Sequence, residues 1–305
     1  MNWVDHETYI EIIPPKEFNF NECLIFLGRS DQEILYRMKE DAIYTIIKGR
    51  ESFILCRISY DKDVLKIEFP NGVPTVVERE KIGEYIWEWF DLERDLAEFY
   101  RIASKDTVLR KLTERYHGLR IIGIPDLFEA FVWAIIGQQI NLTFAYTLKK
   151  RFVEQYGEVL TFEDETYWAF PTFEKIATIH VEELKALQFS TRKAEYIIGI
   201  AKLMNNGDLS KEFLMEKQNY QDIKDSLISI RGIGAWTADY VMMKCLHQPS
   251  AFPIADVGIH QALKHLLKLE KKPSIEEIEK LAVQWKGWQA YATFYLWRSL
   301  YDETI

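Results

Sequence analysis

The residues best suited to chemistry cluster in two neighbouring segments, ISIRGIGAWTADYVMM from residue 228 and AFPIADVGIHQAL from residue 251. Gly232 and Gly234 permit a very tight turn between two helices. Amides around Gly232–Ala235 then point outward at a helix N-terminus, where the dipole favours an anion, so a phosphate fits this corner with few lysines. Arg231 adds a basic edge; the other reading is a corner that only packs. Asp256 lies in a short Pro-containing loop just before an apolar-striped helix, where its ordinary role is an N-cap. A Gly-rich helical hairpin followed at this distance by an aspartate loop is a compound pattern that chance produces far less often than either half. Trp236 and Tyr240 stand four residues apart, neighbours on one helical face.

These residues need a frame. Tyr9 to Ile13, Ala42–Ile47, Phe53–Tyr60 and Val64–Phe69 are β-branched and aromatic, and the Asp61-Lys62-Asp63 turn joins the last two as a hairpin. A helix is expected over Asn21–Arg29. From about residue 80 the spacing is helical almost without interruption. Asp126 and Glu129 resemble a capping box opening an apolar run that ends at Gly137. Helical spacing recurs over Ser190–Leu203, Asp222–Ile230, Ala235–Leu246, Ile259–Leu267, Ser274–Val283 and Gln289–Leu300. The expected architecture is α+β: a small N-terminal antiparallel-sheet domain over residues 1–113, then a large all-helical domain over 114–305 in which two helical subdomains flank a cleft.

A net charge of −9 argues against a protein that coats nucleic acid non-specifically, because that affinity comes from Lys and Arg neutralising phosphates. It leaves room for one local, amide-lined contact. Cys23, Cys56 and Cys245 have neither disulfide nor zinc spacing. The N-terminal MNWVDHETYI has no signal-peptide pattern and no apolar run spans a bilayer, so a cytoplasmic protein without membrane contact is expected.

Segment Leu227–Leu263 resembles the signature of the helix-hairpin-helix DNA glycosylase superfamily: hairpin, Gly/Pro-rich loop and aspartate. Within it the chain resembles the DNA-3-methyladenine glycosylase II family over nearly its whole length. That likeness runs through PPKEFNFNECLIFLGR, DLFEAFVWAIIGQQIN, FPTFEKIA and WKGWQAYATFYLW. The resemblance implies excision of alkylated bases from double-stranded DNA by a monomer, nucleoid-associated while on DNA. It places Asp256 as the carboxylate that stabilises an oxocarbenium-like transition state or activates water. Arg231, Gly232, Ile233, Gly234 and Ala235 would hold the DNA backbone.

Trp236, Tyr240 and Trp297, with Phe26 behind a gapped match, would line the base pocket. Electron-rich ring faces attract a cationic base by roughly 0.5–2 kcal/mol each. Arg298 stands where the family carries another aromatic. Flipping the base leaves a gap, and Gln138 and Gln139 match the wedge loop that fills it. Thr191-Arg192-Lys193 reads either as a phosphate contact or as a solvated helix start. Relatives that also cut the strand carry a lysine nucleophile where this chain has Trp236, which implies a monofunctional enzyme. The resemblance also implies Na+ or K+ on the carbonyls of Ile228, Ile230 and Ile233, no required cofactor and no iron–sulfur cluster. The competing reading is a non-catalytic module that grips DNA or senses lesions; Asp256 and the tryptophan pair, which gripping does not need, separate the two.

Overall fold

The computed structural model describes residues 1–217 and 219–302, and the fold is α+β. The chain gathers into two compact units and enters each more than once. One holds Met1–Pro14, Ser30–Leu92 and Pro125–Ser210; the other holds Pro15–Arg29, Glu93–Ile124 and the chain from Lys211. A boundary drawn at 113/114 falls inside the helix Leu109–Arg115.

In the first unit, β1 (Trp3–Asp5), β2 (Tyr9–Ile12), β3 (Tyr36–Lys39), β4 (Ala42–Lys48), β5 (Phe53–Asp61) and β6 (Val64–Glu68) form an antiparallel sheet in the order β1-β2-β6-β5-β4-β3. Ile10, Ile67, Ile58 and Ile43 are successive partners across four strands, and all are fully buried. Slipping any strand by one residue would turn its isoleucine outward, so this row holds the register. The helix Val76–Trp89, started by a Thr75/Glu78 capping box, packs against β2.

A second hairpin, β7 (Glu158–Phe162) with β8 (Glu165–Ala169), interrupts the nearly continuous helical stretch expected after residue 80 and corrects the expectation of an all-helical domain over 114–305. Its turn residues Glu163 and Asp164 both have positive φ, 48° and 62°, the geometry that matches strand twist. Tyr167 from this hairpin packs with Ile46 and Leu55 of the sheet.

The helix Leu127–Gly137 is buried along nine of its eleven residues. Only half of the expected capping box forms: Asp126 accepts from the Glu129 N–H at 2.7 Å, but the Glu129 carboxylate turns to Lys149 at 3.3 Å. Lys149 also donates to both oxygens of Glu33, at 3.1 and 3.2 Å. Burial pushes the Glu129 carboxyl up to about 7, with Lys149 opposing the rise and Glu33 adding to it. Because the folded-state value lies above the unfolded one, this group stabilises the fold fully below about pH 4.5, and the contribution is lost as pH rises through about 7. Glu129→Gln, uncharged throughout, should therefore gain melting temperature over the wild type between those limits, by about 2–4 °C per kcal/mol recovered. Melting curves that stay parallel across the pH series would contradict this.

The second unit supplies the hairpin helices Tyr220–Ile228 and Ala235–Lys244, the helix Val257–Leu266 and the helix Gln289–Ser299 against which it packs. No helix among the described residues is long and apolar enough to cross a membrane.

Candidate active site

The glycine corner is built as its residue types require. Gly232 has φ +95°, a conformation that side chains rarely adopt, and the Ile233 N–H closes the turn on the Ile230 carbonyl at 3.0 Å. Ile233 is buried and anchors the corner, whereas Arg231, Gly234 and Ala235 are exposed. Gly234 caps the next helix without a side chain, at φ −90° and ψ 175°. Neither that backbone nor packing demands glycine there, because an added Cβ would meet nothing within 4 Å. The missing side chain leaves an open approach to the first-turn backbone of the Ala235–Lys244 helix.

Asp256 is the N-cap of the helix Val257–Leu266, its ordinary role: its Oδ1 accepts from the N–H groups of Gly258 and Ile259 at 2.8 and 3.3 Å. The carboxylate also accepts from two indoles. Trp297 Nε1 donates to Oδ1 at 2.8 Å and Trp236 Nε1 donates to Oδ2 at 2.9 Å. Oδ1 thus takes three donors and Oδ2 one, which leaves acceptor capacity on Oδ2 of this half-buried residue. The loop before it is anchored by His260, whose Nδ1 and Nε2 lie 2.8 and 3.1 Å from the carbonyls of Pro273 and Ile254.

The same two indoles carry the ring wall. Tyr240 lies between them, its ring centroid 5.5 Å from Trp236 and 6.0 Å from Trp297, at tilts of 32° and 34°. Trp236 lies in the first turn of the helix that leaves the glycine corner, so corner, carboxylate and that indole meet at one end of the helix.

Phe26 lies one layer further in. Its ring sits 4.4 Å from Phe294, which in turn edges Trp297 at 6.4 Å, and its faces meet the protein's own cations: Arg29 at 4.0 Å and Lys244 at 5.1 Å. Phe26 backs the wall and does not offer a face beside Trp236 and Tyr240. Lys244 is buried, donates to the Ile122 carbonyl and lies 4.9 Å from the Phe294 ring. Burial, with Arg29 adding, holds its ammonium well below the ordinary lysine range. Arg298 turns its charge elsewhere, donating to Glu22 at 2.7 Å and lying 4.4 Å over Tyr116. That pair ties the helix Phe20–Leu27, which carries Phe26, to the helix that carries Trp297.

Sequence reasoning missed three things here: the indole N–H bonds to the carboxylate, the close fit at Gly258, and Tyr301. Tyr301, exposed, sets its ring edge-on to Phe26 at 6.4 Å. In the other unit, Gln139 is exposed with φ +56° in the short loop joining Leu127–Gly137 to Leu142–Tyr156, and Gln138 is the half-buried C-cap of the first of these helices. Among the described residues no group of three or more His, Cys, Asp or Glu side chains is arranged to hold a metal ion. Of the three hairpin carbonyls expected to hold a monovalent cation, that of Ile230 already accepts from the Ile233 N–H at 3.0 Å.

Residues 132–287 match the family described as HhH-GPD superfamily base excision DNA repair protein. The chain belongs to that superfamily. Residues 11–131 match the N-terminal domain of 8-oxoguanine DNA glycosylase. The chain is 45% identical to the DNA-3-methyladenine glycosylase of Bacillus subtilis (strain 168), over 99% of its own length and 100% of that protein's. The structure is similar to that of a 3-methyladenine DNA-glycosylase from Archaeoglobus fulgidus, with TM-score 0.82, 26% identity, and 97% and 98% of the two chains covered. It shares its fold with an 8-oxoguanine glycosylase/lyase from Clostridium acetobutylicum solved with double-stranded DNA, at TM-score 0.77, 21% identity, and 100% and 99% coverage. The enzyme is accordingly a DNA glycosylase of the 3-methyladenine type acting in base excision repair, and the reading as a non-catalytic gripping module falls away.

An alanine Cβ at position 258 would lie 2.8 Å from Asp256 Oδ1 and 3.0 and 3.1 Å from Cδ1 and Nε1 of Trp297. Gly258→Ala should therefore displace the carboxylate and lower single-turnover base release on the order of 10²-fold. Far-UV circular dichroism should stay that of the wild type. An unchanged rate would show that the carboxylate need not sit where it does.

Proposed function

We propose that the enzyme excises cationic, alkylated purines from duplex DNA and leaves an intact abasic site, with Asp256 as the group that meets the reacting carbon. The observation that carries this reading is the double indole clamp on the carboxylate. Each tryptophan that offers a ring face to a base also donates its N–H to the same aspartate, so base and carboxylate are positioned together.

The backbone of the corner from Arg231 to Ala235 would hold a phosphate near the lesion. Ile228, Ile230 and Ile233 would hold Na+ or K+ through their carbonyls, which adds positive charge beside that phosphate. The base leaves the stack, Gln139 with Gln138 occupies the gap, and the extruded ring is drawn to Trp236, Tyr240 and Trp297 by its positive charge. The C1′–N bond then breaks, and its electron pair leaves with the base and neutralises it. Positive charge accumulates on the sugar, where the Asp256 carboxylate stabilises it. Water adds hydroxide to C1′ and its second proton passes to solvent. No other catalytic side chain is needed, since the alkylated base is already a good leaving group.

The match of residues 11–131 to an 8-oxoguanine glycosylase domain raises a second reading, a lyase acting on oxidised bases. It needs an amine beside C1′. The donors to Asp256 are two indoles and two backbone amides, and Lys244, two turns along the helix from Trp236, is buried on a carbonyl. Asp256→Asn should lower release of 7-methylguanine from methylated DNA by about 10²–10³-fold, the loss typical for a group facing transition-state charge. Binding to abasic-site DNA should persist. Borohydride added during turnover of the wild type should trap no covalent protein–DNA adduct. Unchanged base release in the variant would refute the proposed role of Asp256, and a trapped adduct would establish lyase chemistry.

A further inference from the structure

The helix Leu127–Gly137 has nothing of its own with which to finish. Its last turn, Ala134-Ile135-Ile136-Gly137, contains no hydroxyl, amide or charged side chain, and the first three of these are fully buried. Terminal carbonyls have no partner within a helix, and a buried one left without a partner is costly. The Ile135 carbonyl accepts from the Gln138 N–H at 3.3 Å. The Ile136 carbonyl accepts from Lys193 Nζ at 2.7 Å, reached from the first turn of the neighbouring helix Thr191–Asn205. Lysine here also suits the negative end of the helix dipole.

Two further observations give that bond a consequence. The chain passes from Gly137 into a loop in which exposed Gln139 is held at φ +56°. A non-glycine residue in that region costs of order 1 kcal/mol and persists only where the flanks are fixed. One flank is fixed by Asn141, whose side chain accepts from the Phe144 N–H at 2.8 Å and starts the next helix. The other is fixed by Lys193. The ammonium is half-buried and turned back to the carbonyl, while its neighbours Thr191 and Arg192 are exposed. Burial lowers its proton affinity below the ordinary lysine range.

We propose that Lys193 is a positioning residue for base extrusion: by holding the Ile136 carbonyl it sets the exit of the helix Leu127–Gly137, and with it the placement of Gln139 against the gap in the duplex. The inference rests on Gln139 being the residue that fills that gap. It assigns Lys193 a different role from a phosphate contact, and the two separate by experiment.

Single-turnover release of 7-methylguanine is measured for the full chain and for K193M, K193R and Q139A, once from duplex and once from the same oligonucleotide single-stranded. Binding to undamaged duplex is titrated against salt in parallel. K193M should lose about 10- to 100-fold on duplex, the scale expected of a misplaced group, and keep its single-strand rate. K193R, which can donate to the same carbonyl, should recover most of the loss. The salt slope of binding should match that of the wild type. A phosphate contact would instead lower that slope by about one and weaken binding to every sequence alike, and this result overturns the proposal. Equal losses on duplex and single strand also overturn it. If Q139A is impaired on duplex while K193M is normal, the positioning role alone fails; if Q139A is normal, the gap-filling role it depends on fails.

Discussion

A carboxylate is a poor catalytic tool unless its direction is fixed, and the fixing of Asp256 is what the rest of this site is arranged around. Four N–H groups converge on its two oxygens, from Trp236, Trp297, Gly258 and Ile259. They come from three helices separated widely in sequence, so the carboxylate points correctly only once those helices have packed. Two of the donors are ordinary helix-capping amides, and capping alone would have left the second oxygen loose. The indoles remove that freedom and bring ring faces with them, so in the proposed mechanism the pair that orients the charge also meets the base.

That economy explains features that otherwise look incidental. Gly258 is glycine because a Cβ would press on both Asp256 and Trp297. Tyr240 is buried, and its ring tilts by 32° and 34° against the two indoles, which packs all three rings into one cluster. Phe26 and Phe294 back Trp297 and enclose a lysine whose charge burial disfavours. The glycine corner opens the same helix that carries Trp236.

Much of this was legible in the sequence, for physical reasons. A left-handed backbone at Gly232 demands glycine, helix capping favours aspartate at 256, and i,i+4 spacing sets Trp236 beside Tyr240. Each is a local rule that reads directly from residue type. The direction of the indole N–H bonds was not legible, because an aromatic side chain gives the same sequence signal whether it stacks, packs or donates. Arg298 could be seen to differ from an aromatic, but only its partner Glu22, distant in the chain, shows that its charge is satisfied within the fold. The β7–β8 hairpin escaped because its Glu163-Asp164 turn lacks the Asn-Gly or Asp-Gly pair that usually marks such turns. The interleaved units are a non-local property that no window of sequence contains.

The central claim is that Asp256 acts as an oriented negative charge toward a sugar that becomes positive. It is tested most directly by comparing the affinity of the enzyme for two duplexes that differ at one atom. One carries a neutral tetrahydrofuran abasic analogue and the other a pyrrolidine whose protonated ring nitrogen mimics the oxocarbenium charge. The account predicts that the cationic analogue binds markedly tighter to the wild type, and that this preference vanishes in Asp256→Asn while affinity for the neutral analogue is kept. Equal affinity of the wild type for both, or a preference that survives the substitution, would contradict it.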